Sequence, residues 1–121
     1  MRRFGELESK VMDALWSSGE PSTVRDVLEE LRRSREIAYT TVLTVMDNLY
    51  RKGWLQRKRD SRAHRYWPTA SREQYVAELM RDALAASNDH AAALVHFTER
   101  LSDEESLALR AALRRRARRR P

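Results

Sequence analysis

The sequence predicts a mostly α-helical chain that carries one small β-hairpin at the end of its first half. Three observations lead there. Only three Gly and three Pro punctuate 121 residues, so helices with short connections should dominate. Apolar residues recur at i, i+3, i+4, i+7 through most segments. The period breaks once, after Gly53, where two short stretches rich in aromatic and basic residues flank a polar turn.

Leu7, Val11, Ala14 and Leu15 define a first helix over about residues 5–17, ended by Ser18-Gly19-Glu20-Pro21. Thr23 is placed to cap a second helix, with Asp26 in its first turn and Val24, Val27, Leu28 and Leu31 as the buried stripe. Arg32-Arg33-Ser34-Arg35 is a polar break. A third helix runs from about Tyr39 to Lys52 on Val42, Val45, Met46 and Leu49, and Gly53 stands where a C′ glycine belongs. Trp54–Arg59 and Ala63–Pro68 read as strands around the turn Asp60-Ser61-Arg62. Ser71-Arg72-Glu73-Gln74 is a capping box that opens a fourth helix to about Ala86. Ser87-Asn88-Asp89 interrupts, a short apolar helix covers Ala91 to Phe97, and Ser102-Asp103-Glu104-Glu105 opens a last helix that runs into an arginine tail.

Charge follows this division. Residues 1–68 hold 14 basic and 10 acidic side chains, residues 69–109 hold 3 and 8, and residues 110–121 hold seven Arg and no acid. The tail therefore makes the total of +6 positive, but the more telling excess is local. Arg51 to Arg65 carries seven basic residues against Asp60 alone, a density that suits a polyanion. The tail itself suits contact with DNA, RNA or acidic partners, and its blander reading is a solvated, partly disordered end.

Several classes fall away. The length disfavours large catalytic folds, and zero cysteines remove disulfides, thiolate nucleophiles and Cys-based metal sites. No apolar run approaches the ~20 residues that span a bilayer, and the N-terminus turns acidic at Glu6, unlike a secretory signal. A cytoplasmic, nucleoid-associated protein without membrane insertion is expected. His64, His90 and His96 have no metal-ligand spacing, so no metal and no cofactor is expected.

Three helices followed by a hairpin within 1–68 is the plan of a winged helix-turn-helix, in which the third helix enters the major groove and the wing follows the backbone or minor groove. With its apolar stripe turned inward, the third helix presents Thr40, Thr41, Thr44, Asp47, Asn48 and Arg51. Thr meets base edges or a thymine methyl, Asn pairs with adenine, and Arg takes guanine or phosphate. Lys52, Arg57, Lys58, Arg62, His64 and Arg65 extend the candidate DNA surface into the wing. Blander readings stand beside these. Thr40 suits a helix cap, Asn48 suits a solvated face, and a basic hairpin suits an edge guarded against aggregation.

Residues 69–121 form the expected helical dimerisation region. Its candidate interface residues are Tyr75, Val76, Leu79, Met80, Ala83, Leu84, Leu94, Val95, Phe97, Leu107 and Leu113. A segment this short cannot bury that much apolar surface by itself, and a two-fold helical interface would cover it.

The motifs Leu7–Trp16, Thr23–Val27, Ala38–Met46, Leu49–Gly53 and Arg62–Pro68 together resemble the BlaI/MecI family of bacterial repressors, and the wording is nearest to its actinobacterial members. The resemblance runs from Leu7 to about Leu113. It implies a homodimeric repressor on palindromic operators that control β-lactamase or cell-wall-stress genes. It also implies a membrane sensor protease of the BlaR/MecR type as partner, with induction by cleavage in the C-terminal helices. The bond cut in staphylococcal members joins Asn to Phe; the aligned bond here joins His96 to Phe97. Many relatives also carry Arg where Asn48 stands, and the Cys-x-Cys motif of the copper-responsive branch is missing. The competing classes are a winged-helix adaptor that binds protein instead of DNA, motivated by the acidic middle segment, and a small hydrolase. The hydrolase finds no Cys, no clustered His and no Gly-rich phosphate loop to support it.

Overall fold

The computed structural model describes residues 4–119; Arg120 at the end of the arginine tail lies outside them. The order is α1 (Glu6–Ser18), α2 (Val24–Arg32), α3 (Tyr39–Arg51), β1 (Leu55–Asp60), β2 (Ala63–Pro68), α4 (Arg72–Ala85), α5 (His90–Glu99) and α6 (Asp103–Arg119). The chain divides into two compact units, one ending at Leu79 and one beginning at Met80.

In the first unit, the apolar stripes of α1, α2 and α3 converge on one core. Val11, Met12 and Leu15 meet Val24, Val27, Leu28 and Leu31, with Val42, Met46 and Leu49 from α3 and Leu55 and Tyr66 from the hairpin. The local chemistry that starts and stops these helices is visible atom by atom. Thr23 Oγ1 accepts from the Asp26 amide at 3.1 Å, and Asp26 Oδ2 accepts from the Thr23 amide at 2.9 Å. The end of α3 is a Schellman turn: the Trp54 amide donates to Leu49 O and the Gly53 amide to Tyr50 O, each at 3.0 Å. Gly53 sits at φ +89°, which an L side chain resists, and this turn aims the chain into β1.

β1 and β2 pair antiparallel from Leu55↔Pro68 to Asp60↔Ala63, leaving Ser61 and Arg62 as a two-residue turn with Ser61 at φ +58°. The base of this hairpin gains a third member. Ser22 bridges Tyr66 through two backbone hydrogen bonds of 2.9 and 2.8 Å, which pin the wing to the α1–α2 connection.

An aromatic cluster closes the unit. The Phe4 and Tyr75 rings stack at 4.2 Å, and Trp54 packs edge-on against both. The Phe4 amide donates to the Tyr75 hydroxyl at 2.9 Å, and Trp16 Nε1 donates to Ala70 O at 2.9 Å. Tyr75, assigned to the dimer face on periodicity, is thus buried inside this unit, because Phe4 and Trp54 cover its side of α4. Leu79 also packs partly against this core.

The second unit is different. Its helices are well capped: Asp89 Oδ1 accepts from the Ala92 amide at 3.0 Å, and Ser102 and Glu105 form a reciprocal box at 2.9 and 3.0 Å. Yet neither α5 nor α6 has a buried residue. Leu94, Val95, Phe97, Leu107 and Leu113 stand between 42% and 62% exposed, too much apolar surface for helices built only to meet water. The arginine tail is ordered helix as far as Arg119, where disorder was expected, because Ala and Arg are strong helix formers and Asp103, Glu104 and Glu105 favour the N-terminal pole.

Candidate nucleic-acid interface

The 3.6-residue period of α3 puts Thr40, Thr41, Thr44, Asn48 and Arg51 on its exposed side, opposite the buried Val42, Met46 and Leu49. Thr40 does not cap the helix. Ala38 occupies that position without a side-chain bond, and Thr40 lies one residue inside the first turn. Leu43 is exposed on the same helix, an apolar contact that periodicity alone did not single out.

Asp47 organises the charged part of this face. Its Oδ2 lies 2.9 Å from Arg51 Nη2, one turn along α3, and its Oδ1 lies 3.3 Å from Arg57 Nη1 on β1. The Arg57 guanidinium also stacks over the Tyr50 ring, 3.9 Å from its centre. The Tyr66 hydroxyl, ahead of the other neighbours, holds the Arg57 guanidinium above its usual pKa, against burial that lowers it. Arg57 therefore braces the wing against α3. Lys52 is similarly engaged within the unit, its Nζ 2.8 Å from Glu8 Oε2 of α1. Both are candidates for the DNA surface, and in the structure both pair with carboxylates, Lys52 with one far off in sequence and Arg57 with one on a neighbouring element.

The wing sorts the remaining cations. Arg65 Nε pairs with Asp60 Oδ2 across the hairpin at 2.8 Å, and this carboxylate raises the Arg65 pKa. His64 is half-buried with its ring edge-on to Tyr66, which places it as packing at the wing's face. Lys58, Arg59 and Arg62 are exposed, and among the described residues none has a carboxylate partner. The structure thus exposes the Thr-rich face of α3 and, on the wing, three cations without a carboxylate partner among the described residues; Arg57 is the wing cation that meets α3, while Lys58 lines a groove with Gly19, Glu20 and Trp67. Arg59 belongs with Lys58 and Arg62 in this set, although it was not among the candidate contacts. Sequence reasoning did not find Asp47 and Tyr50 as the groups that organise this face. Only the Asp47–Arg51 pair had a sequence signal, its i,i+4 spacing.

Among the interface candidates, Val76, Met80, Ala83, Leu94, Val95, Phe97, Leu107 and Leu113 are exposed, while Leu84 is half-buried. His96 lies within α5, its Nδ1 3.4 Å from Glu99 Oε1, so the His96–Phe97 bond is helical. Among the described residues, no helix is long and apolar enough to cross a membrane.

These features match known proteins. The family model described as penicillinase repressor covers residues 4–115. The transcriptional regulator BlaI of Mycobacterium tuberculosis is 52% identical over 116 residues, which cover 93% of this chain and 84% of that one. Among solved structures, the monomeric form of Bacillus licheniformis BlaI in complex with the blaP half-operator superposes with a TM-score of 0.51 at 23% identity, over 61% of this chain and 89% of that one. A mutant of S. aureus MepR bound to an oligodeoxyribonucleotide gives 0.54 at 19% identity, over 94% of this chain and 78% of that one. With a winged-helix architecture and a family match over nearly its whole length, this chain belongs to the penicillinase repressor family of transcriptional regulators, and it is not an enzyme.

Proposed function

We propose that the protein represses transcription by binding palindromic operators as a homodimer, with α3 in the major groove and the wing along the phosphate backbone. The observation that carries this is the exposed Thr40, Thr41, Thr44 and Asn48 face of α3 in the same unit as the wing's Lys58, Arg59 and Arg62, which have no carboxylate partner among the described residues. One surface offers short groups that read base edges, and the other offers cations that hold phosphate. Residues 1–68 serve as the DNA-binding domain and 69–121 supply the dimer contacts, supported by the exposed apolar residues of α5 and α6. A dimer spans half-sites about 10 base pairs apart or a little more.

The regulated genes are those of β-lactam resistance or cell-wall stress, and a BlaR-type membrane protease is the partner that releases repression. That release requires α5 to unwind locally, because a protease takes its substrate extended and the His96–Phe97 bond lies inside hydrogen-bonded helix. The site of action is the cytoplasmic nucleoid.

Binding of the full chain to labelled duplexes tests the reading. The duplex upstream of its own gene should bind at least about a thousandfold more tightly than a shuffled duplex at roughly physiological salt. Thr44→Ala should change the ranking of operator variants, whereas Lys58→Ala and Arg62→Ala should weaken all duplexes alike and flatten the salt dependence by about one each. Equal affinity for operator and shuffled DNA sinks the proposal, and nuclease-resistant capture of a protein in its place favours an adaptor.

A further inference from the structure

The C-terminal half of α6 is the strongest charge feature that operator recognition leaves unused. Arg110, Arg114, Arg115, Arg116, Arg118 and Arg119 fall within ten residues of one exposed helix. None of the six has a carboxylate partner among the described residues, and no acid occurs after Glu105.

A purely structural role accounts for only part of this. Cations favour the negative pole of a helix, but that benefit ends with the last turn, which holds Arg116, Arg118 and Arg119. Arg110, Arg114 and Arg115 lie before it. The pairs 110/114, 114/118 and 115/119 are like charges at i,i+4, a spacing at which they oppose helix formation. Strong helix formers such as Ala111, Ala112 and Ala117 sustain the segment despite this repulsion. A counter-anion of matching charge density would relieve it.

Duplex DNA has that density. Six charges over ten helical residues lie along about 14 Å, roughly one per 2–3 Å, against one phosphate per about 1.7 Å of duplex axis. Guanidinium forks also take phosphate oxygens in pairs, as a point-like ammonium does not. An anionic bilayer is the poorer fit. Interfacial helices insert large apolar side chains, and Leu113 is the only one within Arg110–Arg119.

We infer that the Arg110–Arg119 helix is a second, sequence-independent DNA-binding element, which holds duplex phosphates irrespective of the operator. It stands apart from the proposed operator reading, because its measurement uses DNA with no operator in it. The experiment compares the full chain with a variant carrying Arg114→Gln, Arg115→Gln, Arg118→Gln and Arg119→Gln, using a labelled random duplex of about 25 base pairs across a salt series. The glutamine variant should bind at least tenfold more weakly at low salt, with the slope of log K against log salt reduced by about three to four. The same four positions changed to Lys should keep most of that slope, and circular dichroism should show equal helix content in all three proteins. Preference for operator over shuffled sequence should survive in the glutamine variant. An unchanged slope on random duplex overturns the inference. So does a loss that appears only on single-stranded RNA, or only on vesicles of anionic phospholipid.

Discussion

Asp47 is an acid on a face that otherwise suits phosphate. It neutralises Arg51 and fixes Arg57 against Tyr50, so two guanidiniums of the proposed DNA surface are held by the protein's own groups. Removing its charge releases both. Asp47→Asn should raise affinity for random duplex about three- to tenfold and lower the ratio of operator to random binding, as measured by anisotropy at matched salt. Equal gains on both duplexes would falsify the idea that Asp47 sharpens discrimination. The raised pKa values of Arg57 and Arg65 create no physiological pH dependence. A group whose folded pKa is raised contributes stability that is fully present below its unfolded value, far above physiological pH for a guanidinium, and lost only at still higher pH. At this scale the sequence was legible for side chains that face solvent and poorly legible for charge partners. Periodicity exposes Thr44 and Asn48 whatever surrounds them, but nothing local to Lys52 announces a carboxylate at Glu8, two helices earlier.

Among the elements, the turn from α3 into β1 sets the relation between α3 and the hairpin. Gly53 has open space around its α-carbon, so Gly53→Ala introduces no clash and isolates the cost of an L residue at φ +89°. The substitution should destabilise the first unit by about 1–2 kcal/mol, read from the urea midpoint with an unchanged m-value. A cost near zero would mean that the Schellman turn relaxes without the fold noticing. The element boundaries were legible because their chemistry is short-range: the boxes Thr23–Asp26, Ser71–Gln74 and Ser102–Glu105 each close within one turn. Tyr75 was misread for the opposite reason. A period of 3.6 shows that Tyr75 lies on the apolar side of α4 but not what covers that side, and Phe4, seventy-one positions away, is what covers it.

Over the molecule as a whole, the two halves differ in where their apolar surface goes. The first unit carries its own core, whereas α5 and α6 leave Val95, Phe97, Leu107 and Leu113 in water. On the proposed pairing through α5 and α6, Phe97→Glu should shift the protein from dimer to monomer at micromolar concentration by sedimentation, and weaken operator binding at least tenfold while the first unit melts unchanged. An undiminished dimer would move the interface elsewhere. A region without an interior has little stability that is independent of its partner, so its folded fraction depends on how much protein is present. Abundance then controls survival as well as occupancy. If two copies pair through α5 and α6 as proposed, α5 stays wound and its peptide bonds stay closed to proteases in a crowded population, whereas copies diluted by growth loosen as monomers and are cleared first. Under that pairing, protein lost this way would accelerate its own disappearance and give the system a sharp threshold in concentration.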